Sequence, residues 1–291
     1  MKHSMVTDLR QLTPAEYPPS LGEIPDPPRA LWARGAMPPK GTKLLAVVGS
    51  RALSTYGKQA CEKLIAGLSG YPISIVSGLA LGADACAHQA ALLAGLHTIA
   101  VPGSGLDDSI IYPAANAGLA KNILKAGGIL LSEHEPRHKA RPEDFPSRNR
   151  IMAGMADAIL IIEASEKSGT LITARLAAEY NRDLMCIPHR ISDAHGFGPH
   201  LFIRLGAALV TEPEHILEVL HLEPKEKDMG NISITLEGTE KIIFELLHEP
   251  LSKDDIIRNV NLPVGNVLTA LVALELKDLI KEEFGVWRRC E

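Results

Sequence analysis

The 291-residue sequence predicts an α/β protein, a mostly parallel sheet with helices on both faces followed by a small winged-helix domain. Three observations carry this. Short, continuously apolar, β-branched runs alternate with helix-length amphipathic segments, as in a parallel sheet covered on both faces. Several of these runs end in small or glycine-containing turns. After residue 231 the pattern changes to three short helices and a hairpin, the order of a winged helix-turn-helix.

The first 40 residues form a Pro-rich lead-in. Pro14, Pro18, Pro19, Pro25, Pro27, Pro28, Pro38 and Pro39 remove backbone donors and block long helices or central strands, so this stretch is read as extended chain against the main domain. Residues 41–222 form that domain. Its expected strands are Leu44–Val48, Ile73–Val76, Thr98–Val101, Ile129–Leu131, Ala158–Ile162, Leu184–Ile187 and Ala207–Val210. The turns behind them include Gly49-Ser50-Arg51, Ser77-Gly78-Leu79, Pro102-Gly103-Ser104-Gly105 and Glu163-Ala164-Ser165. In a parallel sheet such turns share one edge, where helix N-termini aim N–H groups at anions, and a phosphate-binding rim follows. Tight turning alone is the competing reading. Residues 223–231 form a charged linker. Residues 232–291 give the winged helix, with helices over Glu240–His248, Lys253–Asn259 and Val264–Lys277 and strands over Leu279–Glu283 and Val286–Arg289.

Charge and composition narrow the function. A net charge of −5 argues against a surface that coats nucleic acid throughout, so any such site is local. With 4% aromatics, few side chains are candidates for stacking on bases. Cys61, Cys86, Cys186 and Cys290 form no Cys-x-x-Cys pair, which fits a reducing cytosol. No apolar run is long enough to span a bilayer and no signal peptide is evident, so a cytoplasmic protein without membrane contact is expected.

Arg137–Arg150 is the basic hotspot, carrying a net +3 with Phe145 inside it. Cations that hold phosphates beside a ring that stacks on a base suit a single strand of any sequence; a solvated loop with a buried phenylalanine is the alternative. Pro146 suits the first turn of a helix through Arg148, Asn149, Arg150 and Met152. Arg148 then sits near the positive helix end, which points to a bound anion, or to an ion pair with a carboxylate such as Glu163. Arg51 projects from the rim as the leading phosphate contact, or closes a structural salt bridge. Ser168-Gly169-Thr170 precedes a helix over Leu171–Tyr180, where one hydroxyl caps and another donor remains for phosphate.

Two patterns are set aside. His134-Glu135-Pro136-Arg137-His138 matches the zinc-protease string, but Pro136 breaks the helix that motif needs and no third ligand stands at a suitable spacing. His189, His195 and His200 fall in a Gly/Pro-rich loop, read as a loose polar lid rather than a metal site. The dinucleotide fingerprint is absent after Gly49, and no catalytic set emerges around Ser77, Ser104, Ser168, Asp84, Asp107 or Glu163. No cofactor or metal is expected.

Val47-Val48-Gly49-Ser50-Arg51, Ser77 through Asp84, Gly103 through Asp107 with Tyr112-Pro113, Phe145 through Ile151, and Glu163 through Arg175 resemble, in order and spacing, the motifs of the DNA-processing protein A family, also called Smf. The resemblance spans about Tyr17 to Leu220. It implies a Rossmann-like domain that binds single-stranded DNA, forms a homodimer and helps load the RecA recombinase during natural transformation, without enzymatic activity. Carried onto this sequence, the DNA-binding residues are Arg51, Lys139, Phe145, Arg148 and Asn149. Together with the rim positions, the expected set is Gly49, Ser50, Arg51, Ser77, Gly78, Lys139, Phe145, Arg148, Asn149, Arg150, Ser168, Gly169 and Thr170. Gly82-Ala83-Asp84 replaces the usual Gly-Ile-Asp, and Pro188-His189 the usual Pro-Gly, which puts a phosphate role for that last loop in doubt. The segment before the core is also shorter than the helical N-terminal domain of many relatives. The competing enzyme reading is a nucleoside-monophosphate phosphoribohydrolase, since Ser168-Gly169-Thr170 with Glu179 faintly matches a glycine-threonine-glutamate motif, though the preceding Pro-Gly-Gly is missing. For the winged helix, a net charge of −4 over Ile232 to Glu291 favours protein contact over groove binding.

Overall fold

The computed structural model describes residues 9–224, 236, 238–260, 262–277, 279–283 and 285–289. The chain divides into two compact units, Met1–Pro224 and Lys225–Glu291. Beyond Pro224 the expected linker 223–231 lies outside the described residues, as does the domain boundary at 232. None of the helices searched is long and apolar enough to cross a membrane.

In chain order the first unit contains β1 (Arg10–Gln11), β2 (Trp32–Gly35), β3 (Lys43–Val48), α1 (Thr55–Ala66), β4 (Ile73–Ser77), α2 (Ala83–Leu93), β5 (His97–Ala100), α3 (Ala117–Lys125), β6 (Ile129–Ser132), α4 (Asp144–Met155), β7 (Ala158–Ile161), α5 (Thr170–Glu179), β8 (Asp183–Cys186), α6 (Phe197–Arg204), β9 (Ala208–Leu209) and α7 (Pro213–Val219). All nine strands join one sheet in the order β1-β2-β6-β5-β4-β3-β7-β8-β9. From β6 to β9 every pairing is parallel; β1 and β2 add on antiparallel at one edge.

Successive strand residues point to opposite faces, so an all-apolar strand feeds two cores. In β3, Leu44, Ala46 and Val48 pack with Ile151, Met152 and Met155 of α4 and Ala174 of α5. Leu45 and Val47 pack with Cys61, Leu64 and Ile65 of α1 and Ala87 of α2. A smaller cluster seats Leu119, Ile123 and Leu124 of α3 against Ala100 and Leu130.

The lead-in is more built than extended chain. Leu12, Leu21, Ile24, Leu31 and Ala33 are buried in the α4-side core, and β2 pairs with β6 from Trp32↔Ser132 to Gly35↔Ile129. The strand falls in the window between Pro28 and Pro38, where every residue retains its N–H donor.

β3 is the topological switch. The chain leaves it towards β4, β5 and β6, then returns to its other side as β7. A crevice at the carboxyl ends of the strands opens at such a point. Ser54 helps hold it together: its side chain accepts from Gly57 N–H to start α1, and its N–H and Oγ–H both donate to the Glu163 carboxylate beyond β7.

The second unit contains α8 (Gly238–Leu246), β10 (Leu251–Ser252), α9 (Lys253–Asn259), α10 (Val264–Leu276), β11 (Ile280–Glu283) and β12 (Val286–Arg289), with the strands ordered β10-β12-β11. Ile243, Ile256, Val267, Leu271, Leu274 and Trp287 close its core, giving the winged-helix arrangement.

Candidate nucleic-acid interface

At the carboxyl ends of β3 and β4 a groove of about 790 Å³ is bounded by Gly49–Ala52, Ala80, Asp84, Tyr112, the start of α4 and the start of α5. Each wall has a local cause. Ser50 Oγ accepts from Ala52 N–H, turning the chain so that the Arg51 side chain leaves the sheet edge exposed. Gly82 has φ +75°, and a Cβ there would lie 2.3 Å from Ser50 O, so the crossing of the two rim loops requires glycine. On the α5 side, Ser168 Oγ accepts from Thr170 N–H and its hydroxyl meets Thr170 Oγ1 at 2.9 Å.

Arg51 and Phe145 meet across the groove, with Cζ 5.0 Å from the ring centroid, a cation–π distance. Tyr112 adds a second ring, its centroid 5.5 Å from that of Phe145, and is 47% exposed. Two stackable rings and an exposed guanidinium thus share one opening.

Arg148 is the opposite kind of cation. It is buried, its Nη1 donates to Val101 O, and its Nε donates to Asn149 Oδ1 at 3.1 Å. Its guanidinium lies against Gly78, where a Cβ would sit 1.8 Å from Nη1. Burial lowers its pKa, opposed by the Asp84 charge and reinforced by Arg51. Asp84 is pushed up by its own burial, opposed by Arg148 and by hydrogen bonds that include the N–H groups of Gly78 and Ala80. Glu163, the alternative partner, is committed elsewhere, to Ser54 and to His195 at 3.2 Å. Arg148 therefore puts a buried cation at the groove floor, its charge offset by the neighbouring Asp84 rather than by Glu163.

The groove lining unites Gly49, Ser50, Arg51, Phe145, Arg148, Asn149, Ser168, Gly169 and Thr170 from the expected set. Gly78 lines a small adjoining recess with Arg51, Tyr112, Phe145 and Arg148. Three expected residues are not brought in. Ser77 is buried and its hydroxyl donates to Val47 O at 2.7 Å, a core role. Arg150 turns to the far side of α4, where it pairs with Glu133 and, at 3.3 Å, with Asp26. Lys139 is exposed on the loop before α4, outside the lining. Sequence reasoning left out Asp84 and Tyr112; scarcity of aromatics was the signal for Tyr112, already quoted within Tyr112-Pro113.

The histidine loop is not a loose lid. The His189 side chain is fully buried with Nε2 2.8 Å from Ile162 O, His200 Nε2 lies 3.0 Å from His189 O, and Tyr56 OH donates to Pro188 O. Backbone carbonyls fix each of these rings, and Pro188-His189 is absent from the groove lining. Glu179, the acid required by the hydrolase alternative, also lies outside that lining.

The chain matches the family model for DNA recombination-mediator protein A over residues 9–221 and that for the DprA winged helix domain over 233–285. It is 38% identical to Protein Smf of Escherichia coli over 276 residues, covering 91% of this chain and 73% of that one. Against DNA processing protein DprA of Streptococcus pneumoniae it is 43% identical over 201 residues, covering 69% and 70%. The solved structure of DprA from S. pneumoniae superposes with a TM-score of 0.67 at 39% identity, covering 74% of this chain and 75% of that chain. DprA from Helicobacter pylori, whose structure addresses a single-stranded DNA binding mode, gives 0.65 at 29% identity over 73% and 95%. On these matches, this chain belongs to the DNA recombination-mediator protein A (DprA/Smf) family.

Proposed function

We propose that this protein binds single-stranded DNA in the groove at the β3 switch point and hands it to the RecA recombinase during natural transformation, as a cytoplasmic, non-enzymatic homodimer. The observation that carries the DNA reading is the juxtaposition of Arg51 over Phe145 with Arg148 beneath them. Phosphates are held by the exposed guanidinium in the field of the buried one, and an unpaired base has Phe145 and Tyr112 to stack on. A duplex keeps its bases stacked on one another, so the rings favour single strands. The H. pylori relative's single-stranded DNA binding supports the same reading.

Dimerisation is supported by Phe197, Leu201 and Leu205, exposed at helical spacing along α6 and its end. The winged helix is proposed as a protein contact. Its α10 exposes Val264, Leu268, Val272 and Leu276 at four-residue intervals, while Lys277 beyond it pairs with Glu240.

The test is anisotropy of labelled oligo-dT and of a duplex of equal length, titrated at salt concentrations from about 50 to 200 mM. The single strand should bind tighter and weaken steeply with salt. Equal affinity for duplex, or binding indifferent to salt, overturns the reading; release of free base from nucleoside monophosphates would instead revive the hydrolase.

A further inference from the structure

The motif His134-Glu135-Pro136-Arg137-His138 does not form a helix, but the structure gives its two histidines a common target. Pro136 turns the segment, and His138 N–H closes the turn on Glu135 O at 2.9 Å. The turn is seated on the loop after β5, through Gly105 N–H to His138 O and Asp107 N–H to Pro136 O, both 2.9 Å. A Cβ at Gly105 would lie 2.2 Å from Glu135 O, so the two segments are in direct backbone contact. The imidazoles stack, with centroids 4.1 Å apart and planes 17° from parallel.

Both rings direct Nε2 at Asp144, the first residue of α4. His138 Nε2 is 2.7 Å from Asp144 Oδ2, and His134 Nε2 is 3.7 Å from Oδ1. The second distance is too long for a hydrogen bond, and this Nε2 is buried with no hydrogen-bond partner among the described residues. One ligand atom from each of the three side chains lies within 4.8 Å of the others. Asp144 is also oriented from outside the trio, by Arg141 N–H donating to Oδ2 at 2.7 Å, as outer partners orient metal-bound carboxylates.

We infer that His134, His138 and Asp144 form a binding site for one divalent transition-metal ion of the zinc class. Two imidazole nitrogens and a carboxylate oxygen suit Zn²⁺, Co²⁺ or Ni²⁺ over the all-oxygen preferences of Mg²⁺ and Ca²⁺, and leave a fourth position to water. The ion takes the place of the hydrogen shared by His138 Nε2 and Asp144 Oδ2, that proton passing to solvent while Nδ1 takes one up so that the ring coordinates as a neutral imidazole, and it satisfies the orphaned His134 Nε2. The rings turn out of their stack as their lone pairs converge. Coordination ties the 134–138 turn to the first turn of α4. The site stands independently of the DNA reading.

The experiment uses the full chain, stripped with EDTA. Co²⁺ titration should give visible ligand-field bands saturating at one ion per chain, and Zn²⁺ should displace it. Competition against a chromophoric chelator should show His134→Gln, His138→Gln and Asp144→Asn each weakening Zn²⁺ by at least about tenfold, the loss seen even for outer-shell partners. His195→Gln should leave the affinity unchanged. Zn²⁺ should also slow tryptic cleavage after exposed Lys139 in the unsubstituted protein, a readout that needs no variant to fold. Failure to take up a stoichiometric ion, or an unchanged affinity in the His134→Gln/His138→Gln double variant, overturns the assignment.

Discussion

Replacing Gly78 by alanine should damage the groove from beneath, without adding a side chain to its open surface. The new Cβ would lie 1.8 Å from Arg148 Nη1, 2.2 Å from Cζ and 2.4 Å from Nη2. Ordinary contact needs about 3.5 Å, so the guanidinium must retreat by more than about 1 Å. A free arginine tip would swing away at little cost, but this one is buried and donates to Val101 O, with Asp84 as its compensating charge. Moving it sacrifices a charge-assisted hydrogen bond, about 1.5–3 kcal/mol, and weakens compensation of a buried carboxylate, for a total of about 3 kcal/mol. Urea unfolding should report that loss, and oligo-dT affinity should fall with it. The decisive arm is a double-mutant cycle. In an Arg148→Met background the clash disappears, so Gly78→Ala should cost less than about 1 kcal/mol, leaving a coupling near 2 kcal/mol. Equal cost in both backgrounds would refute the reasoning, because the strain would then lie in the turn itself.

Arg51→Ala should lower the magnitude of the logarithmic salt slope for oligo-dT by about 0.7, one phosphate's worth on a single strand, whereas Arg150→Gln, which breaks the Glu133 pair, should lower stability and leave the slope alone. An unchanged slope for Arg51→Ala counts against its phosphate role. Phe145→Ala should cost about 1–3 kcal/mol of affinity for oligo-dT but much less for an abasic oligonucleotide, since the missing base has nothing to stack; equal losses on both would show that the ring is only packing. Buried His88 is held down to about 3, by burial above all, so it stays neutral in the fold while its unfolded counterpart takes up a proton below about pH 6.5. The stability it secures is present above that pH and lost as pH falls towards 3, about 2 kcal/mol between pH 7 and 5. Urea unfolding at both values should show a correspondingly shallower pH dependence in His88→Gln, and parallel profiles for the two proteins would refute it.

The seven parallel strands were legible because each is a short apolar run whose alternate residues enter different cores; Leu44, Leu45, Ala46, Val47 and Val48 need no long-range information to be read as strand. β2 was hidden because Trp32–Gly35 carries an arginine and a glycine and pairs with a strand nearly 100 residues later, information no local window contains. The same division holds at the site. Arg51 was readable because the apolar run stops at Val48, and a charged residue three positions past the end of a buried strand lies at the sheet's edge rather than in its core. Arg148 and Arg150 were not separable, since two positions along a helix turn a side chain by about 200° and only the tertiary packing decides which one enters the groove. Asp144, six residues beyond His138, was invisible as a third partner for His134 and His138 because the turn at Pro136, read as an interruption, is what lets the chain fold back.

On the proposed reading, that division between Arg51 and Arg148 would let a chain of net charge −5 hold a polyanion. Field strength at a phosphate depends on nearby charge and local dielectric rather than on the total. An exposed guanidinium alone is screened by salt within about 10 Å. A second one buried at the groove floor is screened much less, and Asp84, which also lines the groove and accepts N–H bonds from Gly78 and Ala80, offsets only one of the two positive charges. The groove can therefore be attractive at short range while the rest of the surface remains repulsive, which predicts slow, salt-sensitive capture of a strand by its backbone and little sliding over the outside of the molecule. Adding positive charge elsewhere on the first unit should then speed association more than it slows dissociation, whereas changes at Arg148 should act mainly on dissociation.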